Sequence, residues 1–163
     1  CGYAQGVKAV NPDAVIVQTH RDPLKVITSV SALVAHLRRM ASDEVDLHEI
    51  SADYADDIFL GLDRGMDARA RGVIPADRIV DVHFQRFIAD PIETVREIYV
   101  ALGRELDDLT EKRMRAFLAE HPGDGGGGGT RYRFADTGLE EAPLRERATE
   151  YQQAMGVASE PMA

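Results

Sequence analysis

The chain has 163 residues, 44% hydrophobic and 29% charged, enough for one domain with a real apolar core. Its formal net charge of −9 speaks against nucleic acid as a partner, although local donors can still hold a small anion. The lone cysteine, Cys1, excludes an internal disulfide, offers no metal pattern and fits a reducing cytoplasm, and no apolar run approaches the roughly 18 residues of a transmembrane segment.

The first element expected is a strand. Asn11-Pro12-Asp13 is a turn signal, and the apolar run from Ala14 to Thr19 behind it reads as a buried parallel strand. Asp22-Pro23 then opens a helix from Leu24 to Met40, with Val26, Ile27, Val30, Leu33, Val34 and Leu37 on one apolar face. Ala41 to Leu47 is an acidic connector. A second helix is expected from about Ser51 to Arg71, capped by Ser51 or Asp53 and ended by Gly72 and Pro75. Ile79 to His83 reads as a second strand. Asp90-Pro91-Ile92-Glu93 carries the marks of a capping box and starts a helix that buries Ile92, Val95, Ile98, Tyr99 and Leu102 and stops at Gly103. A shorter helix from Thr110 to Glu120 is expected to bury Met114, Phe117 and Leu118. A last one runs from about Glu140 to Met155 along Leu144, Ala148, Tyr151 and Met155.

The residues with chemical potential cluster after the first strand. Arg21 lies at its carboxyl end, the edge where open α/β sheets bind ligands, and Ser29 follows in the second turn of the next helix. A guanidinium offers a planar fork of donors suited to phosphate, and a serine adds a rotatable hydroxyl. The alternative is that Arg21 pairs with Asp22 or another acid and Ser29 bonds its own helix. His20 is either a neighbour of the ligand or a structural donor. His36, two turns beyond Ser29, reads as structural. Phe84, just after the second strand, is either a stacking surface or a core ring. The segment Gly123 to Thr130 mimics a Walker loop, but Gly129 stands where the lysine is required and no apolar strand precedes it, so that reading is rejected. The acidic group Asp43, Glu44, Asp46, His48 and Glu49 fits no defined metal-ligand set and reads as a solvated loop.

Arg-x-Pro followed by Ser, as in Arg21, Pro23 and Ser29, resembles the 3′-phosphate-binding signature of sulfotransferases that use 3′-phosphoadenosine 5′-phosphosulfate (PAPS). The segments NPDAVIVQTHRDP, GLDRGMDARA, RIVDVHFQRFIADPIETVREIYVALG and RYRFADTGLE resemble the bacterial branch of that family, from about Asn11 to Tyr151. The resemblance implies an α/β, P-loop-NTPase-like sulfotransferase fold, with one domain over residues 1–163 and an incomplete parallel sheet flanked by helices. It implies PAPS as sulfuryl donor, held by Arg21 and Ser29 at the 3′-phosphate and by Phe84 at the adenine, where relatives carry Tyr. Residues 122–131 form a glycine-rich loop that would cover the nucleotide, with Arg131 as its cation. Arg133 is a second candidate. The acceptor would be a hydroxyl or amine of a small molecule or lipid.

No segment of the Gly-x-Pro-Arg-Ser-Gly-Thr type that binds the phosphosulfate in this family occurs in the sequence, nor does its Lys-x-x-His region. The resemblance therefore implies the carboxy-terminal part of a sulfotransferase, inactive by itself, with the catalytic base unassigned. Two rivals remain. One is a non-catalytic α/β interaction domain, a possible homodimer joined through a free sheet edge. The other is a P-loop kinase or hydrolase, which the missing Walker lysine weakens.

Overall fold

The computed structural model describes residue 6, residues 9–121 and residues 133–162. These fall into two compact units, one of residues 21–73 and 133–162, the other of the remaining described residues up to 20 and 74–121.

The second of these units carries the sheet. Strands β1 (Ile16–His20) and β2 (Ile79–His83) pair in parallel, with Ile16 opposite Ile79 and His20 opposite His83. A 3-10 turn, Ala76–Arg78, leads into β2, and the Arg78 guanidinium donates to the Asp13 carbonyl at 2.8 Å, tying together the approaches to both strands. Both expected strands are present and parallel. Their burial differs from the expectation, since Val17 is 42% exposed and Thr19 also faces solvent.

This unit also holds the helices α3 (Phe84–Ala89), α4 (Pro91–Ala101) and α5 (Asp108–Glu120). The short α3 was not expected. Six residues are too few to display a helical period, and Asp90-Pro91 separates it from α4. The Asp90 carboxylate accepts from the Glu93 N–H at 3.1 Å, so the forward half of the capping box forms. The Glu93 carboxylate turns instead to Arg96. Ile92 is buried, while Val95, Ile98, Tyr99 and Leu102 are half-buried. Gly103 ends α4 with φ +66°, a conformation glycine adopts without penalty. On α5 the expectation fails: Phe117 and Leu118 are exposed, Met114 is half-buried, and Phe117 stacks on His121 with ring centroids 4.2 Å apart. Charges position this helix, with Arg96 of α4 bonded to Glu111 at 2.6 Å.

The other unit is helical. It holds α1 (Pro23–Arg39), α2 (Leu47–Ala70), a 3-10 turn at Phe134–Thr137 and α6 (Glu141–Met155). Its core is Leu24, Ile27, Ala55, Phe59, Phe134 and Ala148. Burying each large side chain of this set contributes about 1.5–3 kcal/mol. Arg147 of α6 lies 4.5 Å over the Phe59 ring and also pairs with Asp56.

Two corrections apply here. The buried face of α1 is Leu24, Ile27, Thr28, Ser31, Ala32 and Ala35, whereas the expected Leu33 and Leu37 are exposed. Small residues on that face let α2 approach closely. Helix α2 starts at Leu47, earlier than the expected Ser51, because Asp46 rather than Ser51 or Asp53 caps it: its carboxylate accepts from the His48 and Glu49 N–H groups. Ser51 is fully buried within the helix. The other end is as expected, with Gly72 at φ +62°.

Candidate functional site

Arg21 follows β1 directly in the chain and precedes the first turn of α1. Its guanidinium grips a carboxylate through two parallel bonds, Nε to Glu160 Oε1 at 3.0 Å and Nη2 to Glu160 Oε2 at 3.2 Å. This is the fork geometry that recognises carboxylates and phosphates alike. The alternative expectation, that Arg21 pairs with Asp22 or another acid, is met in its second form, and the acid is Glu160.

Asp22 serves the site differently. It is fully buried and caps α1, Oδ1 accepting from the Leu24 N–H at 3.0 Å. Oδ2 accepts from Arg145 Nη1 at 2.6 Å and from the Glu160 N–H at 2.7 Å. Arg145, on α6, also bonds Glu141 and donates through Nη2 to the Glu160 carbonyl at 2.9 Å. Burial disfavours its charge, but the bonds to Asp22 and Glu141 outweigh that and hold the guanidinium above its ordinary range. Pro23, with its φ fixed, sits at the first helical position, where no N–H is missed. The result is a Glu160 carboxylate seated in the Arg21 fork, with its backbone held by Asp22 and Arg145.

Ser29 is exposed on α1. Phe84 opens α3, half-buried, in the unit that carries the sheet, whereas Arg21 and Ser29 belong to the helical unit. Phe87 and Ile88, further along α3, are exposed. Arg131 and the glycine run lie outside the described residues. Arg133 pairs with Asp136 at 2.7 Å.

His20, the last residue of β1, is 1% exposed. Its Nε2 stands 2.8 Å from Asp81 Oδ1 and its ring lies 5.8 Å from that of His83. Because Asp81 is a carboxylate acceptor, Nε2 carries the proton in this pair. His36 is exposed. The acidic connector lines an open cavity of about 620 Å³ with Glu44, Asp46, His48, Glu49 and Asp136 around it. Among the described residues no His, Cys, Asp and Glu cluster could hold a metal ion, and no helix is long and apolar enough to cross a membrane.

Glu160 and Arg145 were not among the candidates from sequence. The bond from Arg21 to Glu160 spans 139 positions, and only the Glu141–Arg145 spacing on α6 leaves a local signal.

A family model described as the sulfotransferase family matches residues 2–108. The chain belongs to the sulfotransferase family. Among solved structures, sulfotransferase STF9 from Mycobacterium avium is similar over 96% of this chain and 41% of its own, with 26% identity and a TM-score of 0.79. Sulfotransferase STF1 from Mycobacterium tuberculosis is similar over 86% of this chain and 34% of its own, with 30% identity and a TM-score of 0.66. This sulfotransferase chain thus spans about two fifths or less of the solved structures it resembles. Among curated proteins none matches. The family match takes in Arg21, Ser29 and Phe84, but ends before Arg145 and Glu160.

Proposed function

We propose that this chain supplies the nucleotide 3′-phosphate subsite of a PAPS-dependent sulfotransferase, with Arg21 as the principal ligand. The observation that carries this reading is the Arg21 fork, which already holds an anion through two bonds directly after a sheet strand. The Glu160 carboxylate there has the two-oxygen edge that a phosphate also presents, so the residues present fit the group. The family resemblance would add Ser29 as a neutral donor, Phe84 as a surface for the base and Arg131 as a further cation.

PAPS supplies the sulfuryl group: the S–O bond to its 5′-phosphate breaks as a bond to the acceptor oxygen or nitrogen forms. The contribution of this chain is positional. A nucleotide fixed at its 3′-phosphate holds the sulfur in line with the acceptor, and orientation of that kind lowers a bimolecular barrier. The acceptor is a hydroxyl or amine of a small molecule or lipid, and the cavity beside the acidic connector and the start of α2 is its side of the site. The reaction belongs to the cytoplasm, where the nucleotide is available. Without a segment of the Gly-x-Pro-Arg-Ser-Gly-Thr type, the chain alone is inactive or nearly so.

Titration calorimetry with adenosine 3′,5′-bisphosphate tests the reading. Saturable binding that Arg21→Ala abolishes is the expected result. Binding unaffected by that substitution, or no binding by the folded chain, removes it. An Arg21-dependent sulfation rate from the purified chain would overturn the inactivity.

A further inference from the structure

The segment after α6 bonds to Arg21, to Asp22 and to Arg145. Gly156 turns the chain with φ +65°, Val157 is buried, and Met162 packs against the core of the helical unit. Between these anchors all three polar groups of Glu160 are engaged. Its carboxylate fills the Arg21 fork, its N–H bonds Asp22, and its carbonyl accepts from Arg145. The Glu160 side chain is only 13% exposed, so this is a docked group and not a solvated surface acid.

We propose that Glu160 is an internal latch, a carboxylate that occupies the Arg21 fork and must leave before the 3′-phosphate of a nucleotide can enter. The proposal rests on Arg21 being the phosphate ligand. It adds that the chain carries its own competitor for that position. Glu160 fills the guanidinium edge along Nε and Nη2, so a phosphate that takes this edge must first displace it. A terminal phosphate monoester carries up to two negative charges against one for a carboxylate, so it can displace Glu160. The apparent affinity is then the intrinsic affinity reduced by the fraction of molecules with the latch open. Release is a local event. The segment lies beyond the end of α6 and has no helix of its own to unwind, and Met162 keeps an apolar anchor beyond the latch. Arg145 has a part in it too, since its bond to the Glu160 carbonyl positions the carboxylate toward the fork.

The test combines calorimetry with amide hydrogen exchange on the full chain, using adenosine 3′,5′-bisphosphate as the probe. Glu160→Gln keeps the size and the backbone bonds of the residue but removes its charge. The latch predicts that this variant binds about tenfold more tightly than the parent, the scale of one charge-assisted pair taken out of competition. It also predicts that saturating ligand speeds exchange of the Glu160 amide in the parent chain, because its bond to Asp22 opens. Equal or weaker binding by Glu160→Gln, with Arg21→Ala still abolishing binding, sinks the latch and leaves the Arg21 reading standing. Binding indifferent to Arg21→Ala, or no binding by any variant, removes both. Should Glu160→Gln not fold, the exchange measurement on the parent decides alone, and unchanged or increased protection at Glu160 overturns the latch.

Discussion

The two carboxylate oxygens of Asp22 organise the start of α1. One caps the helix and the other receives a guanidinium and a backbone N–H from residues more than a hundred positions away. A buried carboxylate is tolerated only when satisfied in this way. Gly138 shows a different constraint. Its φ is +70°, and a Cβ there would stand 2.8 Å from Cγ and Nδ1 of His48. Gly138→Ala therefore combines left-handed backbone strain with displacement of the His48 ring, and should lower stability by about 1–2 kcal/mol or more in chemical denaturation. An unchanged midpoint would contradict the packing described. At this scale the sequence was partly readable. Arg21 stood out through its place after an apolar run, and Asp22-Pro23 through local capping chemistry. Glu160 and His48 did not, because what matters about them is a partner far away in the chain, and a single sequence carries no trace of such a pairing.

The helices divide by how they are stopped and started. Asp46 caps α2 with its side chain, so Asp46→Ala should cost about 1 kcal/mol. Ser51, the expected cap, is buried, and its hydroxyl has no hydrogen-bond partner among the described residues. Ser51→Ala should accordingly leave stability unchanged or raise it, and a loss as large as that of Asp46→Ala would restore Ser51 as the cap. At α5 the Asp107 carboxyl is held below its usual range, chiefly by the Thr110 hydroxyl at 2.6 Å and then by the Thr110 N–H. Its folded value is depressed, so the unfolded chain takes up the proton first as pH falls. The cap contributes fully above the unfolded value and is lost as pH falls through the folded one. The stability difference between the parent and Asp107→Ala should therefore shrink toward zero across that acid window, and a constant difference would exclude the charged cap. Helix existence and glycine stops were legible because they are local. The buried face of α1 was not. Hydrophobicity favoured Leu33 and Leu37, but the neighbour that α1 meets selects the small face of Ser31, Ala32 and Ala35.

At the scale of the whole chain, the parallel pairing of β1 and β2 followed from two apolar runs separated by helices. Their exposure did not, because an apolar run shows that a strand can be buried and not whether a neighbour covers it. The helical unit holds the Arg21 fork, the Glu160 carboxylate in it and the Asp22 and Arg145 groups that hold Glu160, and the other unit holds the strands, the His20–Asp81 pair and Phe84. The chain belongs to the sulfotransferase family, and we propose that its Arg21 reads the nucleotide 3′-phosphate. The most direct test compares adenosine 3′,5′-bisphosphate with adenosine 5′-monophosphate, which lacks that phosphate, on the parent chain and on Arg21→Ala by calorimetry at one ionic strength. The account predicts that the 3′-phosphate strengthens binding to the parent by about 10–100-fold, the worth of a bidentate charge-assisted pair, and adds almost nothing in Arg21→Ala. The same preference for the bisphosphate in both proteins would contradict it.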